Sequence, residues 1–203
     1  MKNKELLSAH VANHWISYLI YAIVATFIWC YAITLWTKDK PKEVVTIYVL
    51  SYGCESDNLA SKLEEVKDDY LRHVRVNYDD RTNPYVNIKY QGLGTSCDIV
   101  IVPESFIESM GVESVYSSLD KDYMTSIFGE LEYYTIDEKY YGIKLFDKNS
   151  EDNGYIKFKL EDTEDENYYI FLNKKSLHMG EINNSDMDGA IKILKELLNN
   201  GTV

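Results

Sequence analysis

Apolar and polar positions divide this chain into one unbroken apolar run and a longer stretch of short, patterned pieces. From Trp15 to Trp36, twenty-two residues pass without a charge. At 1.5 Å rise per residue, a helix of that length reaches roughly 33 Å, enough to cross a hydrocarbon layer of about 30 Å. Trp15 and Tyr18 mark one end and Trp36 the other, where amphipathic rings favour the headgroup layer, and Lys38, Lys40 and Lys42 stop the run. The run is too long for the apolar part of a signal peptide, and Leu35-Trp36-Thr37-Lys38 offers no small-residue cleavage site. Trp29 directly before Cys30 argues against lipoprotein processing there. The pattern therefore predicts an uncleaved transmembrane helix over 15–36, a short segment 1–14 before it and a tether over 37–43.

Beyond the tether the period changes. Val44 to Leu50 is β-branched and apolar on both faces, which suits a central, parallel strand. Leu59, Leu63, Val66 and Tyr70 recur at helical spacing and predict a helix capped by Ser56, Asp57 or Asn58. Extended pieces are expected at Val74–Tyr78 and Val86–Tyr90, broken by the polar turn from Asp79 to Pro84. Asp98–Pro103 reads as a second buried strand, followed by a short helix from Glu104 to Met110. From Leu131 the segments become Tyr-rich and extended: Glu132–Ile136, Tyr140–Phe146 and Tyr155–Leu160, with turns at Asp137-Glu138-Lys139 and Asp152-Asn153-Gly154. These are expected to pair antiparallel. The chain returns to an apolar strand at Tyr168–Leu172 and closes with a helix in which Met187, Ala190, Ile191, Leu194 and Leu197 share a face. The sum is one α/β domain over 44–203, with a mixed sheet covered by helices.

Charge narrows the functional classes. The chain carries −12 in all; residues 1–42 hold five Lys against two Asp or Glu, so residues 43–203 carry −15. So acidic a domain is repelled by phosphate backbones, and no nucleic-acid partner is expected. Flanking charge slightly favours the wrong end of the helix for an external domain, so orientation is not fixed by it.

Several segments, in order, resemble the extracellular solute-binding proteins of ABC importers. They are Val45–Leu50, the helix Leu59–Tyr70, Val86–Tyr90, Cys97–Val102, Lys139-Tyr140-Tyr141-Gly142-Ile143-Lys144-Leu145-Phe146-Asp147, and Tyr169-Ile170-Phe171-Leu172-Asn173-Lys174-Lys175-Ser176 before the last helix. The Lys-x-Tyr-Gly-Ile stretch is similar to the segment that crosses between lobes in that family. Only the twenty residues Lys148–Asn167 separate it from the return segment, too few for a second lobe. The resemblance thus implies a membrane-anchored, single-lobe relative, its C-terminal domain outside the cell. It also implies a small-molecule solute, such as a sugar or other polar solute, and ABC transporter membrane subunits as partners, beside the lipid around residues 15–36.

Ligands of open α/β sheets settle beyond the carboxyl ends of the strands. That rule points to Tyr52 and Cys54 after the first strand, Glu104 and Ser105 after Pro103, and Tyr141 near the crossing segment as ligand-binding candidates. Packing of Tyr52 and Tyr141 on the sheet, and a helix first-turn role for Glu104, is the competing reading. If their strands are parallel, Cys54 and Cys97 lie near opposite ends, on the order of 15–20 Å apart, and two free thiols are expected. No catalytic residues, metal ligands or cofactor are expected. His10 and His14 precede the anchor without the acid of a His-Glu-x-x-His site, and His73 and His178 read as isolated surface residues. Gly92-x-Gly94 leads into a strand, and Glu161–Glu166 lacks the alternating calcium-loop spacing and reads as a solvated loop. The leading expectation is a non-enzymatic accessory or sensing component of ABC-type transport. The alternative is a membrane-tethered interaction module that binds no solute and docks another membrane protein through its Tyr-rich hairpins and sheet edge.

Overall fold

The computed structural model describes residues 2–149, 154–160 and 166–200. It divides into two compact units, Met1–Asp39 and Lys40–Val203. The first is a single helix, α1 (Lys2–Thr37). Its stretch His14–Thr37 is long and apolar enough to cross a membrane, and none of its most apolar window is buried within the protein.

The second unit is built on a six-stranded mixed sheet in the order β3-β1-β4-β8-β6-β5. Its strands are β1 (Val44–Ser51), β3 (His73–Asp80), β4 (Ile99–Pro103), β5 (Tyr133–Ile136), β6 (Lys139–Phe146) and β8 (Tyr168–Leu172). β1 pairs parallel with β3 and β4, and the remaining neighbours are antiparallel. The two expected central strands and the Tyr-rich antiparallel part are therefore present. β5 and β6 are joined through Asp137 and Glu138, both at positive φ, the twist that a tight hairpin demands.

Helices cover both faces, which is why β1, β4 and β8 are apolar on both sides. On one face Val45, Ile47 and Val49 pack with Leu59 and Leu63 of α2 (Ser56–Val66), Met124 of α5 (Lys121–Phe128), and Ile193 and Leu194 of α6 (Gly189–Asn200). On the other, Tyr48 and Leu50 pack with Val86 and Tyr90 of α3 (Val86–Gly92), Phe106 and Ile107 of the 3₁₀ turn Glu104–Ser109, and Val112 of α4 (Val112–Val115).

Four sequence expectations are corrected. Val86–Tyr90 is helical: Val86 and Tyr90, four apart, are buried, whereas Ile88 between them is 71% exposed, so the helical period prevails over apparent alternation. α2 ends at Val66; Lys67 turns extended, and Tyr70 stacks on His178 with centroids 6.0 Å apart. No side chain of Ser56, Asp57 or Asn58 caps α2; Glu55 holds the cap position, and Asn58 Nδ2 donates to its carboxylate at 2.7 Å. His178 is buried: Nε2 lies 3.0 Å from the carbonyl of Pro41, and Nδ1 lies 3.4 Å from the Tyr70 hydroxyl. His73 is exposed as expected.

Candidate functional site

The carboxyl ends of β1, β3 and β4 meet at one edge of the sheet. Ser51, the last residue of β1, is buried and accepts the Arg81 amide on its carbonyl at 2.9 Å. The chain then forms a two-residue strand, β2 (Gly53–Cys54), which pairs antiparallel with β7 (Ile156–Lys157) in a ribbon separate from the main sheet. β7 is all that forms strand within the expected extended segment Tyr155–Leu160, and its partner is β2 instead of a Tyr-rich neighbour. The Tyr52 amide donates to Lys157 at 3.1 Å and the Glu55 amide to Tyr155 at 2.8 Å. Between Gly53–Glu55 and Gly154–Lys157 lies an open hollow of about 420 Å³. Cys54 lines it as a protonated thiol: burial, with the Glu55 charge adding, pushes its pKa up to about 11.

A second cluster sits at the ends of β3 and β4. Arg81 Nε donates to Glu166 Oε1 at 2.8 Å, and Arg81 Nη2 donates to Ser105 Oγ at 2.5 Å. The other oxygen of Glu166 accepts the Ser105 amide at 3.0 Å. Beside it, the Glu104 amide donates to the Asn167 carbonyl and Asn167 Nδ2 returns a bond to Glu104 Oε2, both at 2.8 Å. Asn167 Oδ1 accepts the Lys148 amide at 3.1 Å. Glu104 and Ser105 are thus held by the chain's own return segment. Glu166 is the only described residue of the expected acidic loop; Glu161–Asp165 lie outside the described residues.

Replacing Glu166 by Ala removes the bond from the Ser105 amide and both contacts from Arg81, through Nε and Nη2. With the two side chains only 24% and 15% exposed, the pair lies between an exposed and a buried one, and the expected loss is about 2 kcal/mol. Hydrogen exchange at the Ser105 amide is expected to quicken by roughly tenfold or more as this edge opens locally; an unchanged rate would mean that Glu166 does not hold the edge.

The structure brings Tyr52 and Cys54 together at one part of this edge and Glu104 and Ser105 at another. Tyr141 is elsewhere. It is buried in the second core cluster, and the neighbouring pair Gly142–Phe171 places it at the opposite end of β6 from Phe146, which lies beside the Tyr168–Pro103 end. Parallel pairing of β1 and β4 puts Cys54 beyond one end of the sheet and Cys97 before the other, and both thiols are free. Burial raises Cys97 to about 11 as well. Sequence reasoning missed Arg81, Glu166, Asn167, Tyr155 and Lys157, which come from turns and from the segment that crosses the edge. Among the described residues no group of three or more His, Cys, Asp or Glu is arranged to hold a metal.

No family model matches the chain, and no curated protein does. Two solved structures are similar over half of it. One is a eukaryotic thiaminase-I bound to the thiamin analogue 3-deazathiamin, with 17% identity and a TM-score of 0.33. The other is the N-glycan transport solute binding protein NgtS from Streptococcus pneumoniae, with 14% identity and a TM-score of 0.36. The chain spans 31% and 24% of those two proteins.

Proposed function

We propose that this chain is a single-pass membrane protein whose α/β domain faces the cell exterior, takes a small polar solute at the end of its first strand, and serves an ABC-type importer as an accessory or sensing component. One observation carries the proposal: the hollow between Gly53–Glu55 and Gly154–Lys157, beyond the carboxyl end of β1, where open α/β sheets bind ligands. Its lining residues include an aromatic residue, Tyr155, one acidic residue, Glu55, and one basic residue, Lys157, a set that suits a hydroxyl-rich or zwitterionic molecule. The 24-residue apolar span His14–Thr37 supports the anchor.

Thermal unfolding of the full chain in detergent micelles, against a library of sugars, amino acids, polyamines and divalent cations, tests the solute. A ligand at 100 times its dissociation constant adds about 2.7 kcal/mol, a rise of roughly 5–10 °C for a domain of this size. The shift is expected to disappear in Tyr155→Ala and Lys157→Ala, and to shrink in Tyr52→Ala. Silence across the library from a well-folded protein would transfer the assignment to the docking module, which the outer side of β5, unpartnered among the described residues, favours.

A further inference from the structure

The geometry points to a second binding surface: the outer edge of β5 and the hollow beside it take an extended polypeptide whose alternate side chains are basic. This surface goes beyond the solute reading and does not depend on it. β1 and β5 stand four strand spacings apart, roughly 19 Å, so either surface can fail without the other.

β5 is the last strand of the sheet and pairs only with β6 among the described residues. All its residues are at least partly exposed. The opposite edge is less open, because the Val74 amide of β3 is capped by the Glu64 carboxylate at 3.4 Å. An added strand gains affinity from main-chain hydrogen bonds and specificity from pockets that receive every second side chain. Such a pocket adjoins β5. A hollow of about 280 Å³ is lined by Tyr134 and Ile136, which pack against the same core cluster, with Ile107, Val112 and two acidic residues, Glu108 and Glu113. Gly111 shapes the rim: its φ of 59° reverses the chain between the Glu104–Ser109 turn and α4, so that both glutamates border the same hollow.

Charge selects the occupant. Glu108 and Glu113 are exposed, and neither is ion-paired among the described residues. Residues 43–203 carry −15, a field that draws cationic chains and repels acidic ones. A Lys or Arg in the peptide would lay its aliphatic stem on Tyr134 and Ile136 and hold its charged head between the carboxylates.

The test is fluorescence anisotropy of a labelled, extended peptide of alternating valine and lysine, titrated with the full chain in neutral detergent micelles. Saturable binding is expected, with none for the valine–glutamate analogue. The double variant Glu108→Gln/Glu113→Gln changes only exposed groups and is expected to bind about tenfold more weakly, the scale of two exposed ion pairs. Backbone N-methylation at alternate peptide residues is expected to abolish binding in one frame and spare the other, since only one set of amides faces β5. No binding of the lysine peptide would overturn the proposal. So would an unchanged affinity in the double variant, or equal effects of the two methylation frames, which would mark charge attraction without strand pairing.

Discussion

Phe171→Ala is expected to destabilise the Lys40–Val203 unit by about 4 kcal/mol, the range for removing a fully buried aromatic ring. At 2–4 °C per kcal/mol, the midpoint should fall by roughly 8–16 °C. Phe171 is 0% exposed, the fourth of five residues in β8, its ring centroid 5.3 Å from that of Tyr116 and 6.1 Å from that of Tyr134. Its cross-strand partner on β6 is Gly142, and the absence of a side chain there makes room for the ring: a Cβ on Gly142 would stand 2.7 Å from Phe171 Cζ and 3.2 Å from Tyr134 Cβ. Gly142→Ala alone is therefore expected to cost about 1–3 kcal/mol by overpacking. In the Phe171→Ala background that methyl enters vacated space, so its cost should vanish or change sign. Urea unfolding followed by near-ultraviolet circular dichroism of the buried tyrosines measures the cycle. Additivity within about 0.5 kcal/mol would show that the two sites do not share a contact.

How much of this was legible in the sequence follows the range of the interactions. β1, β4 and β8 could be read because they are buried on both faces and so consist of apolar runs, interrupted within β1 only by Thr46, a local signal. α6 could be read because Ala190, Ile191, Leu194 and Leu197 repeat on one face. Val86, Ile88 and Tyr90 misled because three apolar residues at alternate positions satisfy a strand template, and only the exposure of Ile88 shows which pair faces the core. α5 gave no usable pattern, although Asp120 caps it, its side chain accepting from the Tyr123 amide at 2.9 Å. The edge was half legible. Tyr52, Cys54, Glu104 and Ser105 follow strands, so the strand assignments placed them. Arg81 and Glu166 are eighty-five residues apart, and nothing local to either says that they meet. Tyr141 was misplaced because the direction of β6 depends on its pairing with β8, a long-range fact.

The second large effect is expected from Asp98, whose importance no motif announces. It sits just before β4, 9% exposed, and its two oxygens accept three bonds from two separate pieces of chain at the amino-terminal edge of the sheet. Oδ2 accepts the Thr46 amide at 2.6 Å and the Thr46 hydroxyl at 2.8 Å; Oδ1 accepts the Ser176 hydroxyl at 2.5 Å. Ser176 Oγ in turn accepts the His178 amide at 3.1 Å, and the His178 ring reaches the carbonyl of Pro41. Asp98→Ala leaves three donors without their acceptor, the buried Ser176 hydroxyl and the part-buried amide and hydroxyl of Thr46. Bonds to a charged group contribute about 1.5–3 kcal/mol each, and a stranded buried donor costs about 1–3 kcal/mol, but Thr46 and Ser176 can relax toward water. The expected loss is about 3 kcal/mol, or roughly 6–12 °C in midpoint. Ser176→Ala removes one of the three bonds and should cost about 1 kcal/mol. Hydrogen exchange locates the damage: the amides of Thr46 and His178 are expected to lose protection together in Asp98→Ala, while those at the Arg81–Glu166 edge keep theirs. Uniform loss across the sheet would mean that Asp98 supports global stability without holding this end in particular.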